Sequence, residues 1–126
     1  MDILRRPLGL TFTPEELATE KNDFLIGAIE HNTLVGCCVL TPKGNSVIQL
    51  RQMAVDTAVQ AKGVGTLLIA YAEQLAVRKG FTTLMMHARK TAIGFYQKMG
   101  YEISSEEFEE VTIPHYEMKK QLDTAL

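Results

Sequence analysis

The stretch Val59–Thr66, Val-Gln-Ala-Lys-Gly-Val-Gly-Thr, follows an apolar run typical of a strand and precedes a long helical pattern. Such a strand–loop–helix unit places unpaired backbone N–H groups at a helix N-terminus. Glycine there lets a ligand approach closely, and the helix dipole favours negative charge, so a phosphate or pyrophosphate is the expected ligand. The alternative is a tight turn that uses Gly63 and Gly65 for geometry alone. The Gly-x-Gly pattern by itself does not decide between the two.

Two familiar phosphate-binding loops do not fit this stretch. A Walker loop requires lysine and then serine or threonine after its last glycine, whereas Gly65 is followed by Thr66 and Leu67. The dinucleotide-binding fingerprint requires a third glycine where this chain has Leu68. The loop therefore has to be interpreted from the elements on either side of it.

Composition indicates a single globular domain, which we assign to residues 1–126. A net charge of −2 and a pI of about 5.9 offer no basic surface for a nucleic acid. No apolar run reaches the roughly 20 residues that span a bilayer, and the N-terminus lacks the layout of a secretion signal. Cys37 and Cys38 are neighbours in an apolar run, so we expect neither a disulfide framework nor a metal site. A reducing, cytoplasmic setting is the simplest interpretation.

The remaining patterns predict a mixed α/β domain with helices packed on a partly parallel sheet. A short helix is expected up to Leu10 and a second helical turn at Pro14, with Thr13 as its N-cap and no obvious strand before it. Helices are also predicted over 66–79 and 91–99, each ended by a glycine, Gly80 or Gly100. Strands are predicted over 24–30, 33–41, 47–55, 82–87, 101–112 (irregularly) and 113–119, with turns at 31–32 and 42–45.

The strand over 47–55 contains a change of parity. Ile48 and Leu50 are apolar on one parity and Met53 and Val55 on the other, so a side-chain period of two cannot bury all four on one face. An extra residue between Leu50 and Met53 would restore the alternation as a β-bulge, which would splay the strand and free backbone N–H groups. A strand buried on both faces would explain the pattern equally well.

Several segments occur together in a characteristic order and spacing. They are Leu-Arg-Gln-Met-Ala-Val at 50–55, Gln-Ala-Lys-Gly-Val-Gly at 60–65, and a later helix that carries Phe95-Tyr96 and ends in Gly100-Tyr101. Over about residues 24–119 the chain resembles the GNAT superfamily of acetyl-CoA-dependent N-acetyltransferases. The resemblance implies a GNAT-like fold, a mixed, partly parallel twisted sheet splayed at a β-bulge with helices on both faces. The segment Ile-Pro-His-Tyr at 113–116 further resembles a bacterial subgroup whose acceptors are mostly unassigned.

This resemblance implies that the chain transfers an acetyl group from acetyl-CoA to a primary amine of a small molecule, with no metal. The bulged strand would pair through its backbone with the pantetheine arm, and the loop amides would hold the pyrophosphate. The cofactor-binding residues would then be Met53, Ala54, Val55, Gln60, Ala61, Lys62, Gly63, Val64, Gly65, Thr66, Ala92, Phe95 and Tyr96.

Tyr96 is the predicted catalytic acid, because the tyrosine at this place in the family lies beside the thioester sulfur. A phenol with a pKa near 10 stays protonated at neutral pH and can donate to a departing thiolate. The general base is left open between His87, His115 and a water relay, since an ammonium acceptor must lose a proton before it attacks. Transfer is direct and needs no covalent enzyme intermediate, so both cysteines are assigned structural roles.

Acceptor recognition is the least determined part of the site. The candidates are Arg5, Arg6, Arg51, Arg89 and Tyr116. Arginines at the mouth of a site favour an acceptor that carries a carboxylate or phosphate beside its amine. The acidic run Glu106–Glu110 could instead attract a polyamine, and we interpret it as solvated surface. Because no first strand is evident, the acceptor wall is either abbreviated or supplied by a second subunit in a homodimer.

Two other functions are compatible with the same motifs. A catalytically silent acyl-CoA-binding sensor or scaffold would keep the loop without needing Tyr96. A protein N-acetyltransferase would apply the same chemistry to lysine or N-terminal amines. Retention of Tyr96 and of the parity change favours catalysis, so the sequence predicts an N-acetyltransferase whose acceptor is open.

Overall fold

The computed structural model describes residues 10–16, 23–56 and 63–122. Their strands are β1 Leu10–Glu16, β2 Phe24–Glu30, β3 Thr33–Gly44, β4 Val47–Val55, β5 Thr83–Arg89, β6 Glu102–Ile103, β7 Phe108–Glu110 and β8 Ile113–Gln121. Their helices are α1 Val64–Arg78 and α2 Ile93–Lys98, and a 3-10 turn, Lys90–Ala92, precedes α2. The strands form one sheet in the order β1-β2-β3-β4-β5-β8-β6, with β7 also paired to β8.

Strands β1 to β4 form an antiparallel meander. The predicted strands over 24–30 and 47–55 agree with β2 and β4 at both ends, and the predicted turn at 31–32 joins β2 to β3. The turn predicted at 42–45 was wrong, because β3 continues through Pro42 to Gly44 and turns at 45–46 instead. Each of these turns has two residues with positive φ, a conformation that the asparagine in each tolerates well.

The N-terminal helical turn predicted at Pro14 was also wrong. Thr13 and Pro14 lie inside β1, which pairs with β2 along its whole length. Leu10 and Phe12 are buried at alternate positions, and this period of two outweighs the helix-start signal of Thr-Pro-Glu-Glu. A strand therefore does precede β2, so the absence of a first strand, from which an abbreviated acceptor wall was expected, was wrong. The first nine residues, where another helix was expected, lie outside the described residues.

Both described helices end as the sequence predicts. Gly80 after α1 has a φ of 92° and Gly100 after α2 a φ of 97°, the left-handed conformation that glycine adopts without penalty. In each case the residue after the glycine donates its N–H to the carbonyl five positions earlier, which closes a Schellman motif. Neither helix in the described ranges has the length and apolar character that a bilayer crossing requires.

Strand alternation divides the sheet into a helix face and a far face. On β5, Leu84, Met86 and Ala88 belong to the core cluster that contains the apolar stripe of α1, so they point to the helix face. The alternate residues, such as His87, point to the far face. The Tyr101 hydroxyl, just after α2, donates to Glu73 of α1 at 2.7 Å. Ile93 and Tyr96 of α2 pack against the same core cluster, so both described helices lie on the helix face, where the resemblance implied helices on both faces.

Candidate functional site

The parallel pairing of β4 with β5 stops halfway along β4. It extends over Val47–Leu50 only, opposite the first four residues of β5. Beyond that point β4 stays paired with β3, and β5 stays paired with β8 as far as Arg89. The two strands therefore separate while their outer edges are held. We call the opening between Arg51–Val55 and His87–Arg89 the cleft.

The predicted β-bulge is present at the start of this separation. Between the pairs Val39↔Arg51 and Cys37↔Ala54, β4 has two intervening residues and β3 has one. One of the two, Gln52, has a φ of 51°, a left-handed conformation that few non-glycine residues adopt. The extra residue is therefore accommodated by local backbone strain.

The bulge has the effect on burial that the parity change predicted. Ile48 and Leu50 lie in the core, and Met53 and Val55 pack against that core from partly buried positions. All four apolar side chains thus reach the helix face. The alternative, a strand buried on both faces, is wrong, since Gln52 is exposed and Arg51 is only partly buried.

Helix α1 begins beside the cleft with an uncapped N-terminus. No side chain of the described residues caps it, and its first turn contains no acidic residue. The first helical hydrogen bond runs from the Leu67 N–H to the Gly63 carbonyl at 3.1 Å, so the N–H groups of residues 64–66 have no helical partner. These are the amides that the sequence assigns to a pyrophosphate. The other predicted loop residues, Gln60, Ala61 and Lys62, lie outside the described residues.

The two glycines of the motif have different local environments. Gly63 has a φ of 77°, which a side chain would strain, so it serves the turn. Gly65 lies inside α1, where a Cβ would meet Phe95 and Val55 at an ordinary 3.8 Å. The turn alone does not need Gly65, and glycine is unfavourable in a helix. The tight-turn interpretation thus explains only the first glycine.

Tyr96 extends from α2 to the cleft. Its ring packs edge-on against Phe95, with centroids 5.1 Å apart, and against the edge of the core. Burial raises the pKa of the Tyr96 phenol, and the charge that Cys38 would carry raises it further. The phenol is therefore a proton donor well into the alkaline range.

Cys38 lies on β3 between the two pairs that flank the bulge, and it is fully buried. Burial, and secondarily the charge that neighbouring Cys37 would carry, raise the pKa of Cys38 to about 12. Both cysteines are free thiols. A buried thiol that stays protonated is a poor nucleophile, which agrees with the structural role assigned to Cys38.

A cavity of about 480 Å³ occupies the cleft. The predicted site residues that line it are Tyr96, His115, His87, Met53, Ala54, Val55, Ala92, Arg51 and Arg89. Phe95 does not line it, although its ring lies close to Gly65 at the start of α1. Tyr116 is also outside it, and its hydroxyl donates to Glu107 at 3.0 Å. Arg5 and Arg6 fall among the residues that the structure does not describe.

A second cavity, of about 830 Å³, opens on the far face. Its polar lining comes from Thr41, Lys43, Gln49, Arg51, Gln52, His87 and Glu110. It shares Leu50, Arg51, Gln52 and His87 with the cleft. The two cavities therefore meet at the bulge, one reaching it between the strands and the other from the far face.

The two candidate bases have different surroundings. His87 is partly exposed, and its Nδ1 donates to the Glu110 carboxylate at 2.8 Å. A carboxylate only accepts, so Nδ1 carries the proton and Nε2 has the lone pair when the ring is neutral. His115 is 7% exposed, and its Nδ1 donates to the Ile113 carbonyl at 2.8 Å. Phe108 packs between the two rings, edge-on to His87 and stacked on His115.

Glu110 is the main residue that the sequence interpretation missed. It belongs to the acidic run that we took for solvated surface. The hairpin of β7 with β8 pairs Glu110 with Ile113 and so brings its carboxylate to His87. The irregular strand predicted over 101–112 is the one sequence signal for this hairpin. It did not indicate which of its residues would pair with those of β8.

The cleft at the bulge lies among the segments on which the chain resembles the GNAT superfamily. A family model described as an acetyltransferase (GNAT) domain matches residues 11–122, so the chain belongs to this family.

Individual relatives and a solved structure are similar to the chain. It is 43% identical over 60 residues to the uncharacterized protein YyaT of Bacillus subtilis, covering 48% of this chain and 40% of that protein. It is 33% identical over 73 residues to the uncharacterized N-acetyltransferase YjcF of the same organism, covering 57% of this chain and 52% of that protein. The chain thus spans about half the length of these curated relatives. A crystal structure of a GNAT family acetyltransferase from Elizabethkingia anophelis with acetyl-CoA bound shares the fold, with a TM-score of 0.73 and 20% identity over 90% of this chain and 99% of that one.

Proposed function

We propose that the protein transfers the acetyl group of acetyl-CoA to a primary amine of a small molecule, by direct attack in a ternary complex. The observation that carries this proposal is the opening between β4 and β5, which is lined by Tyr96 and lies close to the uncapped start of α1. The acetyl-CoA complex of the Elizabethkingia anophelis protein, which has the same fold, supports the choice of co-substrate. A cytoplasmic setting stays a prediction.

The described residues suit a CoA thioester. The backbone N–H groups of residues 64–66 have no helical partner and lie at the positive end of a helix of 15 residues, which favours a diphosphate. Gly65 leaves room for it, and Gln60 and Lys62 would flank it. The backbone of Met53–Val55 would pair with the pantetheine arm in the cleft, with Ala92 and Phe95 at its side.

The reaction follows from where these groups lie. The amine nitrogen attacks the thioester carbonyl carbon, and the resulting oxyanion accepts a hydrogen bond from a strand amide at the bulge, which we assign to Met53. The C–S bond then breaks, and the Tyr96 hydroxyl donates its proton to the departing thiolate. The nitrogen loses its extra proton to a base, and the phenolate regains a proton from solvent.

Of the two histidines, we assign the base to His87. Its Nε2 carries the lone pair, and the ring lines both cavities at their junction. His115 lines the cleft but is nearly buried, so we assign it to holding Phe108 and the start of β8. A water relay from the amine to His87 would serve the same step.

Two measurements on the purified protein test the proposal. Calorimetry with coenzyme A should show binding, and a thiol-release assay with acetyl-CoA should show turnover with at least one amine from a panel of small amines, amino acids and peptides. Absence of binding heat at millimolar coenzyme A on folded protein would overturn the proposal. Binding without thiol release from any acceptor would identify a silent acyl-CoA sensor, and release with peptides alone would identify a protein N-acetyltransferase.

A further inference from the structure

The far-face cavity has walls of opposite charge. Lys43 of β3 and Arg51 of β4 supply cationic groups on one side, and Glu110 of β7 supplies a carboxylate on the other. His87 of β5 stands beside Glu110, where this cavity joins the cleft. A ligand that fills the cavity therefore meets a cationic wall and an anionic wall together.

The Arg51 guanidinium has more N–H donors than its contact with Thr41 uses. Within the described ranges its hydrogen-bond partner is the Thr41 hydroxyl at 3.4 Å, and no carboxylate of those ranges pairs with it. Thr41 itself is buried, with 3% of its surface exposed, so it fixes the guanidinium against the floor of the cavity. A guanidinium has five N–H donors and binds carboxylate or phosphate in a bidentate fashion.

The Glu110 carboxylate has room for an ammonium group. Its Oε1 accepts from His87, and its Oε2 is 4.0 Å from the Nε2 of His115, beyond hydrogen-bond distance. An amine beside Oε2 would therefore lie close to the His115 ring, which lines the cleft, while His87, which we assign as the base, donates to the other oxygen of the same carboxylate. This places the cationic end of an acceptor at the junction with the cleft.

We propose that the far-face cavity binds the acceptor and selects a primary amine that also carries a carboxylate or phosphate group. The amine lies against Glu110 and His87, and the anionic group lies against Arg51 and Lys43. This inference rests on the proposed acetyl transfer, because the amine must meet the thioester where the two cavities join. A polyamine is disfavoured, since its second ammonium group would face Arg51.

The test compares matched acceptors in the thiol-release assay at saturating acetyl-CoA. Amino acids are compared with their amides, O-phosphoethanolamine with ethanolamine, and spermidine is added as a polyamine. We expect kcat/KM to be at least about 10-fold higher for the anionic member of the preferred pair, because a charge-assisted hydrogen bond is lost without it. The two pairs separate a carboxylate-bearing acceptor from a phosphate-bearing one.

Substitutions then assign the preference to Arg51. Arg51→Gln should reduce the ratio of kcat/KM for the anionic acceptor to kcat/KM for the neutral one by about 10- to 100-fold. Arg51→Glu should shift the preference toward spermidine. Glu110→Gln should lower kcat for both members and keep their ratio. Arg78→Gln, which removes an exposed guanidinium from the last turn of α1, is the matched control and should change neither value.

The outcomes separate the two proposals. Turnover with equal use of anionic and neutral acceptors, or an Arg51→Gln variant that slows both equally, overturns this inference and leaves acetyl transfer standing. Coenzyme A binding with no thiol release from any acceptor overturns the proposed function, and the inference falls with it.

Discussion

The two halves of β4 have similar apolar side chains and opposite environments. Val47–Leu50 is paired with β3 on one edge and β5 on the other, and its Ile48 and Leu50 are almost fully buried. Arg51–Val55 is paired with β3 alone, and its apolar residues are only partly buried. The first half holds the sheet together, and the second half lines both cavities.

One extra residue separates these two halves. Gln52 adopts a left-handed φ, which costs of order 1 kcal/mol or more for a residue with a side chain. The strain is tolerated because β3 continues to hold the strand on both sides of the bulge. A single inserted residue thus turns a structural strand into one wall of a cavity while the apolar side chains keep facing the core.

The largest effect is expected from deleting Gln52. The deletion restores regular alternation, keeps Met53 and Val55 on the helix face and lets β4 continue toward β5. We expect a folded protein, by circular dichroism, that shows no calorimetric heat with coenzyme A. Gln52→Gly keeps the residue count and suits the φ of 51°, so it is the control and should bind. Wild-type affinity in the deletion variant would show that the bulge does not create the site.

Tyr96→Phe should lower kcat by about 100- to 1,000-fold, the range for loss of a general acid, with the affinity for coenzyme A unchanged. Because burial raises the pKa of Tyr96, the wild-type rate should not decline from loss of this proton below about pH 10. The rate is measured by thiol release between pH 7 and 10.5. Turnover of the phenylalanine variant at the wild-type rate would remove Tyr96 from the mechanism.

Cys38, behind the bulge, should make stability depend on alkaline pH. Its pKa is about 12 in the folded protein against 9.0 for an ordinary thiol, so only the unfolded chain loses this proton as the pH rises above 9. The contribution of this thiol to the free energy of unfolding is then fully present well below pH 9 and is lost between pH 9 and about 12, by at most about 1.4 kcal/mol per pH unit. Urea titrations at pH 8, 9 and 10 measure the slope. Cys38→Ala should reduce it, and an unchanged slope would mean that the thiol is not buried as described.

The smallest effect is expected in the hairpin that carries Glu110 into the far-face cavity. Val111 and Thr112 form its turn with φ of 53° and 61°, where β-branched residues are strained. Val111 is 84% exposed, so its replacement removes no core contact. Replacing the pair with Asn-Gly should raise the free energy of unfolding by about 1 kcal/mol in urea titrations, with acetyl transfer retained. Val111→Ala should raise the free energy of unfolding by less, because alanine does not favour a positive φ.

Local patterns made much of the fold predictable. The ends of β2 and β4, the apolar stripe of α1 and the glycines after both helices each depend on a few neighbouring residues. Pro14 and Pro42 misled the prediction because each resembles a boundary locally, while pairing with a neighbouring strand decides the structure. For the parity change in β4, the sequence favoured a bulge and a strand buried on both faces equally.

The site was predictable only in part, for a related reason. The motifs led to the cleft residues, and the structure brings Tyr96, His87 and Met53 together there. Glu110 and Thr41 reach the far-face cavity through the hairpins of β7 with β8 and β3 with β4, whose registers no single segment reveals. The roles assigned to all of these residues stay predictions.

The short parallel pairing of β4 with β5 also bears on how the chain folds. Strands β1 to β4 pair with their neighbours in sequence, whereas joining them to β5 requires a loop of about 30 residues to close through α1. Closing that loop costs conformational entropy, and the four residue pairs between β4 and β5 stabilise the sheet only after the loop has closed. We therefore expect the amides of the first four strands to become protected from hydrogen exchange early in refolding. The pairing of β4 with β5 should be the last part of the sheet to form.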